Sequence, residues 1–134
     1  MGEGVKSRKR IMMLGIDYGT KKIGLALGDK NLKIYKPFKI IQNDKNLIEN
    51  LKNIVKAYKI ELIVLGYPLT PSGKEGQRAK KVKKFYELLK KELNIEIVLQ
   101  DERYTTLEAK SLSDEKEIDH ISAYIILKEY AENL

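Results

Sequence analysis

The side chains in this sequence best suited to chemistry are acids: Asp17, the pair Asp101-Glu102, and Asp119, in a chain with no cysteine and a single histidine. With no thiolates and one imidazole, any metal that these acids bind takes oxygen ligands, and carboxylates suit the hard cations Mg2+ or Mn2+. Two such ions about 4 Å apart activate a water on one side of a phosphodiester and stabilise the leaving oxygen on the other. That is nuclease chemistry. It needs Asp17, Glu102 and Asp119 to converge as ligands, with Asp101 as a further catalytic candidate. Successive side chains of a strand point to opposite faces, so Asp101 and Glu102 cannot both aim inward from an undistorted strand, and Glu102 is the preferred ligand. Each acid also has a plainer reading. Asp17 fits a turn aspartate bonded to its own backbone, and Asp119 fits a helix N-cap.

The elements that must position these acids can be traced along the chain. Met13 to Leu27 is two apolar runs joined at Gly19-Thr20-Lys21, a β-hairpin with Asp17 at the end of its first strand. Gly15 and Gly19 leave room on both sides of that carboxylate for close approach of a phosphate or of backbone. Leu32 to Ile41 is a third strand, placed near an edge or at a bend by Pro37, and completes an antiparallel meander. Asn43-Asp44 are candidate caps for a helix that carries Leu47, Leu51, Ile54, Val55 and Tyr58. Ile60 to Gly66 is a short continuous apolar run, as expected of a strand covered on both faces, and the intervening helix can return it parallel to the first strand.

A loop from Tyr67 to Gln77 precedes a helix from about Glu75 to Leu93, with Ala79, Val82, Phe85, Tyr86 and Leu89 inward. Arg78, Lys80, Lys81, Lys84, Lys90 and Lys91 face outward. They form either a solvated face or a track for a phosphate backbone. Ile95 to Gln100 alternates like a strand nearer the edge and delivers Asp101-Glu102-Arg103 to its end. Arg103 can hold a phosphate or neutralise Asp101. Thr105 to Glu108 fits a capping box. A last helix, beginning at about Asp114 or Asp119 and running to Tyr130, buries Ile118, Ile121, Ile125 and Ile126. Asp119, Ser122, Ala123 and Ile126 share one face of it. The small residues Ser122 and Ala123 would let the helix close on the sheet and bring Asp119 to the strand ends.

The pattern β-β-β-α-β-α-β-α predicts a single α/β domain on a mixed sheet. In such sheets ligands gather outside the carboxyl ends of the strands, where Asp17 and Asp101-Glu102 fall. A length of 134 residues suits one domain with a real core, and the net charge of +7 favours a polyanionic partner, nucleic acid first and a membrane surface second. No apolar run reaches the roughly 20 residues of a spanning helix, and Asp17 interrupts the first run too early for a signal peptide, so a cytoplasmic protein is expected. Residues 1–10 read as a basic arm ahead of the domain at 11–134.

Four motifs in order resemble one family. Gly15-Ile16-Asp17-Tyr18-Gly19-Thr20-Lys21-Lys22-Ile23-Gly24 is followed by Gly66-Tyr67-Pro68 with Gly73, Gly76 and Ala79. Then come Asp101-Glu102-Arg103-Tyr104-Thr105-Thr106 with Glu108-Ala109, and Asp119 with Ser122-Ala123 and Ile125-Ile126-Leu127. Together, from about Met12 to Tyr130, they resemble the YqgF/RuvX family. The resemblance implies an RNase H-like fold related to the RuvC resolvases, with a mixed five-stranded sheet and helices on both faces. It also implies a divalent-metal nuclease maturing the 5′ end of pre-16S ribosomal RNA, or, in older descriptions, a Holliday junction resolvase.

On that footing the candidate nucleic-acid contacts are Lys21, Gly73, Arg78, Lys81, Lys84, Arg103, Thr105 and Thr106. The partner is a pre-rRNA, a ribosomal particle or branched DNA, met by a monomer or a homodimer. The chain departs from many members between Ala109 and Asp119, where a longer basic insertion is replaced by a short segment with Asp114, Glu115 and Glu117. His120, next to Asp119, is a candidate proton shuttle or an unremarkable helix histidine. Two other classes compete. Asp17-Tyr18-Gly19-Thr20 resembles the phosphate-binding hairpin of actin-like ATP-binding proteins, although no second copy of it is present. A non-catalytic binding module would use the acids only as caps and turns.

Overall fold

The computed structural model describes residues 11–68, 76–101 and 118–132, with 118–120 as backbone only. The apolar runs become β1 (Met12–Tyr18), β2 (Lys22–Asp29), β3 (Ile34–Gln42), β4 (Ile60–Tyr67) and β5 (Glu96–Asp101). The helices are α1 (Leu47–Ala57), α2 (Gln77–Glu92) and α3 (Ile118–Glu132). One five-stranded sheet runs β3-β2-β1-β4-β5. β1, β2 and β3 form the antiparallel meander. β4 lies parallel to β1 and β5 parallel to β4. A parallel neighbour requires a long connection, which α1 provides between β3 and β4. β1 is the central strand.

Strand alternation divides the core between the two faces. On one, Leu14, Ile16, Leu25, Ile63 and Leu65 pack with Leu51 and Ile54 of α1 and with Val82, Phe85 and Leu89 of α2. On the other, Met13, Ala26 and Val64 pack with Ala123, Ile126 and Leu127 of α3. Each fully buried aliphatic side chain contributes about 1.5 to 3 kcal/mol. The expected close approach of α3 is real, and Gly15 permits it. A Cβ on Gly15 would stand 2.7 Å from the Ala123 carbonyl oxygen and 2.9 Å from Leu127 Cβ.

β3 is the edge strand that Pro37 called for. Leu25 pairs with Lys39 but Ala26 with Pro37, so Phe38 is the extra residue of a bulge, a place that tolerates a missing N–H. The strand begins at Ile34, later than Leu32, because Lys33 adopts a left-handed φ of 55° in the preceding turn. Asp29 shapes that turn, its Oδ1 accepting from the Asn31 and Leu32 amides at 3.0 and 3.2 Å.

Asn43 and Asp44 do not cap α1, whose N-cap is Asn46 without a side-chain bond. Asp44 Oδ1 accepts from the Asn46 amide at 2.9 Å, a local turn. Asn43 Nδ2 reaches back across the sheet to donate to the Gly19 carbonyl at 2.7 Å. At the other end of α1, Tyr58 is exposed and meets Phe38 edge-on at 5.1 Å.

The basic arm, Gly73, Glu102, Arg103, Thr105, Thr106, the capping box and the segment from Lys110 to Glu117 lie outside the described residues.

Candidate active site

Asp17 is the last buried residue of the central strand, with 7 % of its surface exposed. A carboxylate so placed costs free energy unless a cation or several donors meet it. Its neighbours in the sheet are glycines. Gly24 is its partner across the antiparallel pair, and Gly66 lies one step past the Ile16–Leu65 pair on the parallel side. Gly66 in turn pairs with Gln100, so Gly24, Asp17, Gly66 and Gln100 form a row across four strands on the α3 face. Two glycines beside one acid put no side chain of their own between a ligand and the carboxylate.

The hairpin tip beyond Asp17 is held from outside. Asn43 bonds the Gly19 carbonyl by its side chain and the Lys21 carbonyl by its amide, at 2.7 and 2.9 Å. A Cβ on Gly19 would collide with the Lys22 carbonyl, so the turn depends on glycine. The Tyr18 ring packs on Phe85 of α2 at 4.4 Å, which fixes the start of α2 beside the end of β1. Between them lies a cleft of about 390 Å³ lined by Tyr18, Gly19, Thr20, Gln77, Arg78 and Lys81.

Arg78 joins the cleft to the acid. Its Nη2 donates to Asp17 Oδ1 at 3.3 Å, and the Arg78 side chain is 53 % exposed against 8 % for Asp17. Helical periodicity alone assigns Arg78 to the outward face. It reaches inward because α2 starts at the rim of the sheet. Lys81 follows one turn later in the same cleft, whereas Lys84 and Lys21 are exposed nearby on α2 and at the hairpin tip and do not line it.

Among the other acids, Asp101 is exposed and pairs with Tyr67, whose ring packs on the α1/α2 face. It therefore stands on the opposite side of the sheet from Asp17, two strands away, about 9.6 Å in the hydrogen-bonding direction. Alternation assigns Gln100 to the Asp17 face.

The direction of α3 places Asp119. Ala123 covers Gly15, and Ala131 and Glu132 share a cleft with Lys30, Lys33 and Tyr35 beyond the end of β2, where β1 begins. The helix thus runs from the Asp17 end of β1 toward the Met12 end. Asp119 is one turn before Ala123, about 6 Å along the helix, and Asp17 is two residues past Gly15, about 6.6 Å along the strand. The two backbones advance together to one end of the sheet. Asp119 lies inside the helical span rather than at a flanking N-cap position. Among the described residues, no three acidic or imidazole side chains stand close enough to hold a metal.

Sequence reasoning missed Asn43 as the anchor of the hairpin tip, Gln77 as cleft lining and Gln100 as a residue on the acid's face of the sheet. The glycine row was visible as Gly24 and Gly66 in the motifs, but its meaning depends on strand register.

A mixed five-stranded sheet in the order β3-β2-β1-β4-β5, with helices on both faces and a buried acid at the carboxyl end of its central strand, is an RNase H-like fold. Solved structures share the fold. Thermus thermophilus RuvC in complex with a Holliday junction substrate superposes with a TM-score of 0.60 at 9 % identity, over 92 % of this chain and 96 % of that one. The fowlpox virus Holliday junction resolvase gives 0.57 at 16 % identity, over 92 % and 100 %.

The chain belongs to the RuvX family, whose model, described as Holliday junction resolvase, matches residues 11–133. A Sulfurihydrogenibium relative named "Putative pre-16S rRNA nuclease" is 38 % identical over 91 % of this chain and 90 % of its own. One of the same name from Dictyoglomus turgidum is 34 % identical over 91 % and 94 %. No helix among the described residues is long and apolar enough to cross a membrane.

Proposed function

We propose that this protein is a divalent-metal-dependent nuclease that hydrolyses a phosphodiester bond at the 5′ end of pre-16S ribosomal RNA during ribosome biogenesis in the cytoplasm. The observation that carries the reading is Asp17, a buried carboxylate at the end of the central strand, flanked by Gly24 and joined through Arg78 to a basic cleft. A buried oxygen donor beside glycine fits Mg2+ or Mn2+. Asp17, Glu102 and Asp119 would hold the metal: alternation favours Glu102 over Asp101, and the course of α3 favours Asp119. When bound, such ions lower the pKa of a water and neutralise charge on the leaving oxygen.

The remaining work belongs to the chain. Arg78 and Lys81 hold phosphate oxygens in the cleft, Lys84 extends the track along α2, and Lys21 serves at the hairpin tip. Gly73, Arg103, Thr105 and Thr106 complete the contact set. Phosphate contacts of this kind fix the register of the scissile bond without reading sequence. The assignment to pre-rRNA is supported by the name shared by relatives that span nearly the full chain.

Junction resolution is the second reading, supported by the family description. It demands two symmetric cuts and hence a homodimer, whereas one cut at an RNA 5′ end needs only a monomer. The test is incubation with Mn2+ of particles carrying 5′-extended 16S rRNA, side by side with four-way DNA junctions. Trimming of the extension with intact junctions is expected. Paired nicks in the junction without trimming would transfer the function to resolution, and inertness on both would overturn the nuclease reading.

A further inference from the structure

We propose that Arg78 is a positioning residue that holds the cation place at Asp17 until a divalent ion takes the carboxylate and a phosphate takes the guanidinium. It acts as a latch that keeps metal affinity low in the free protein. The inference rests on the reading of Asp17 as a metal ligand.

Two observations carry it. The first is the asymmetry of the pair. The Asp17 side chain is 8 % exposed and fixed in a strand, while Arg78 is 53 % exposed on a long stem, so the guanidinium is the partner able to move. Their single N–H contact is 3.3 Å long, against about 2.7 to 2.9 Å for charge-assisted bonds in good geometry. Arg78 thus applies one of its donors, loosely, to the carboxylate.

The second is position. Arg78 lies in the first turn of a 16-residue helix that has no acid in that turn and no side-chain cap at Gly76. The helix dipole disfavours a cation there, so the energetics of α2 alone give Arg78 no reason to stay. Asp17 offsets that penalty, and a phosphate entering the cleft would offset it as well.

A divalent ion on Asp17 would put like charges a few ångströms apart, which drives the guanidinium away. The cleft lined by Gln77, Lys81 and Thr20 receives it. Metal and Arg78 therefore compete for one carboxylate, and a substrate phosphate in the cleft favours the exchange.

The test is titration of the metal-free protein with Mn2+ alone, free ion being counted by its electron paramagnetic resonance signal. Wild type, Arg78→Gln, Lys81→Gln and Asp17→Asn are compared. Releasing the latch should make Arg78→Gln bind Mn2+ about tenfold more tightly than wild type. The same variant should melt at a lower temperature without metal. Lys81→Gln removes an equal charge from the same cleft without touching the pair, and should change the affinity by less than about threefold. A merely structural Arg78 would give weaker binding in Arg78→Gln and overturn the latch. Equal tightening by Lys81→Gln would overturn it too, as general charge relief. Affinity unchanged in Arg78→Gln but lost in Asp17→Asn would overturn the latch and keep the metal site. Binding indifferent to Asp17→Asn would remove the metal site itself.

Discussion

At the residue scale, the behaviour of the site follows from what one carboxylate costs in its place. Asp17 is buried, and its charge is met by a guanidinium that is itself half in water. Solvent screening makes such a pair worth little on its own, so neutralising the acid should change the stability of the metal-free protein by no more than about 1 kcal/mol. A metal bound only by the native state raises apparent stability by mass action. Asp17→Asn is therefore expected to keep the fold and lose the upward shift in melting temperature that Mn2+ gives wild type. Melting curves with and without Mn2+ decide the matter, because equal shifts in the two proteins would place the ion elsewhere. The motif made Asp17 legible as a candidate. Its partner was not legible, because Arg78 lies 61 residues further along and on the nominally outward face of its helix.

At the scale of elements, the proposed site relies on α3 to bring Asp119 to the strand ends, and the contact of α3 with β1 leaves no slack. Gly15→Ala would push its Cβ to within 2.7 Å of the Ala123 carbonyl oxygen, a helix backbone atom that cannot rotate away. Overpacking of this kind typically costs about 1 to 3 kcal/mol. The urea midpoint of Gly15→Ala should fall accordingly, and Mn2+ affinity should fall with it as the first turn of α3 lifts from the sheet. An unchanged midpoint would mean that α3 is not seated on Gly15.

Asp119 tests the same element from its other end. Asp119→Asn keeps shape and leaves the helix as stable as before, so folding and nucleic-acid binding should persist while single-turnover cleavage of a pre-rRNA 5′ junction with Mn2+ largely disappears. Activity within a few-fold of wild type would remove Asp119 from the site. Ser122 and Ala123 gave the close packing away in the sequence, since small residues on the face of an acid have few other uses. The direction of the helix did not show there.

At the scale of the whole molecule, the sheet was legible where chemistry is local and illegible where it is relayed. The hairpin, the parallel return of β4 and the edge positions of β3 and β5 followed from apolar periodicity, Pro37 and the alternation of Ile95 to Gln100. The role given to Asn43 did not, because its bond to Gly19 spans 24 residues and competes with the local capping that sequence rules favour. Charge is also a property of the whole chain, and +7 leaves open which cations meet the substrate. The cleft narrows the choice to Arg78 and Lys81, and Lys84 continues the same face of α2 at the same interval of three. Replacing all three by Gln should weaken nucleic-acid binding and flatten its dependence on salt. Each lost phosphate contact lowers the slope of log K against log salt by about 0.7 to 0.9, so a change of about 2 is expected if all three neutralise phosphates. Thermal stability should fall no further than in Arg78→Gln alone, because Lys81 and Lys84 are exposed and only Arg78 has a described ion-pair partner among the three. A triple variant with weaker binding but an unaltered slope would mean that the face shapes the cleft without neutralising phosphate. An unaltered affinity and slope would return the lysines to the solvated role that charge runs on helices usually have.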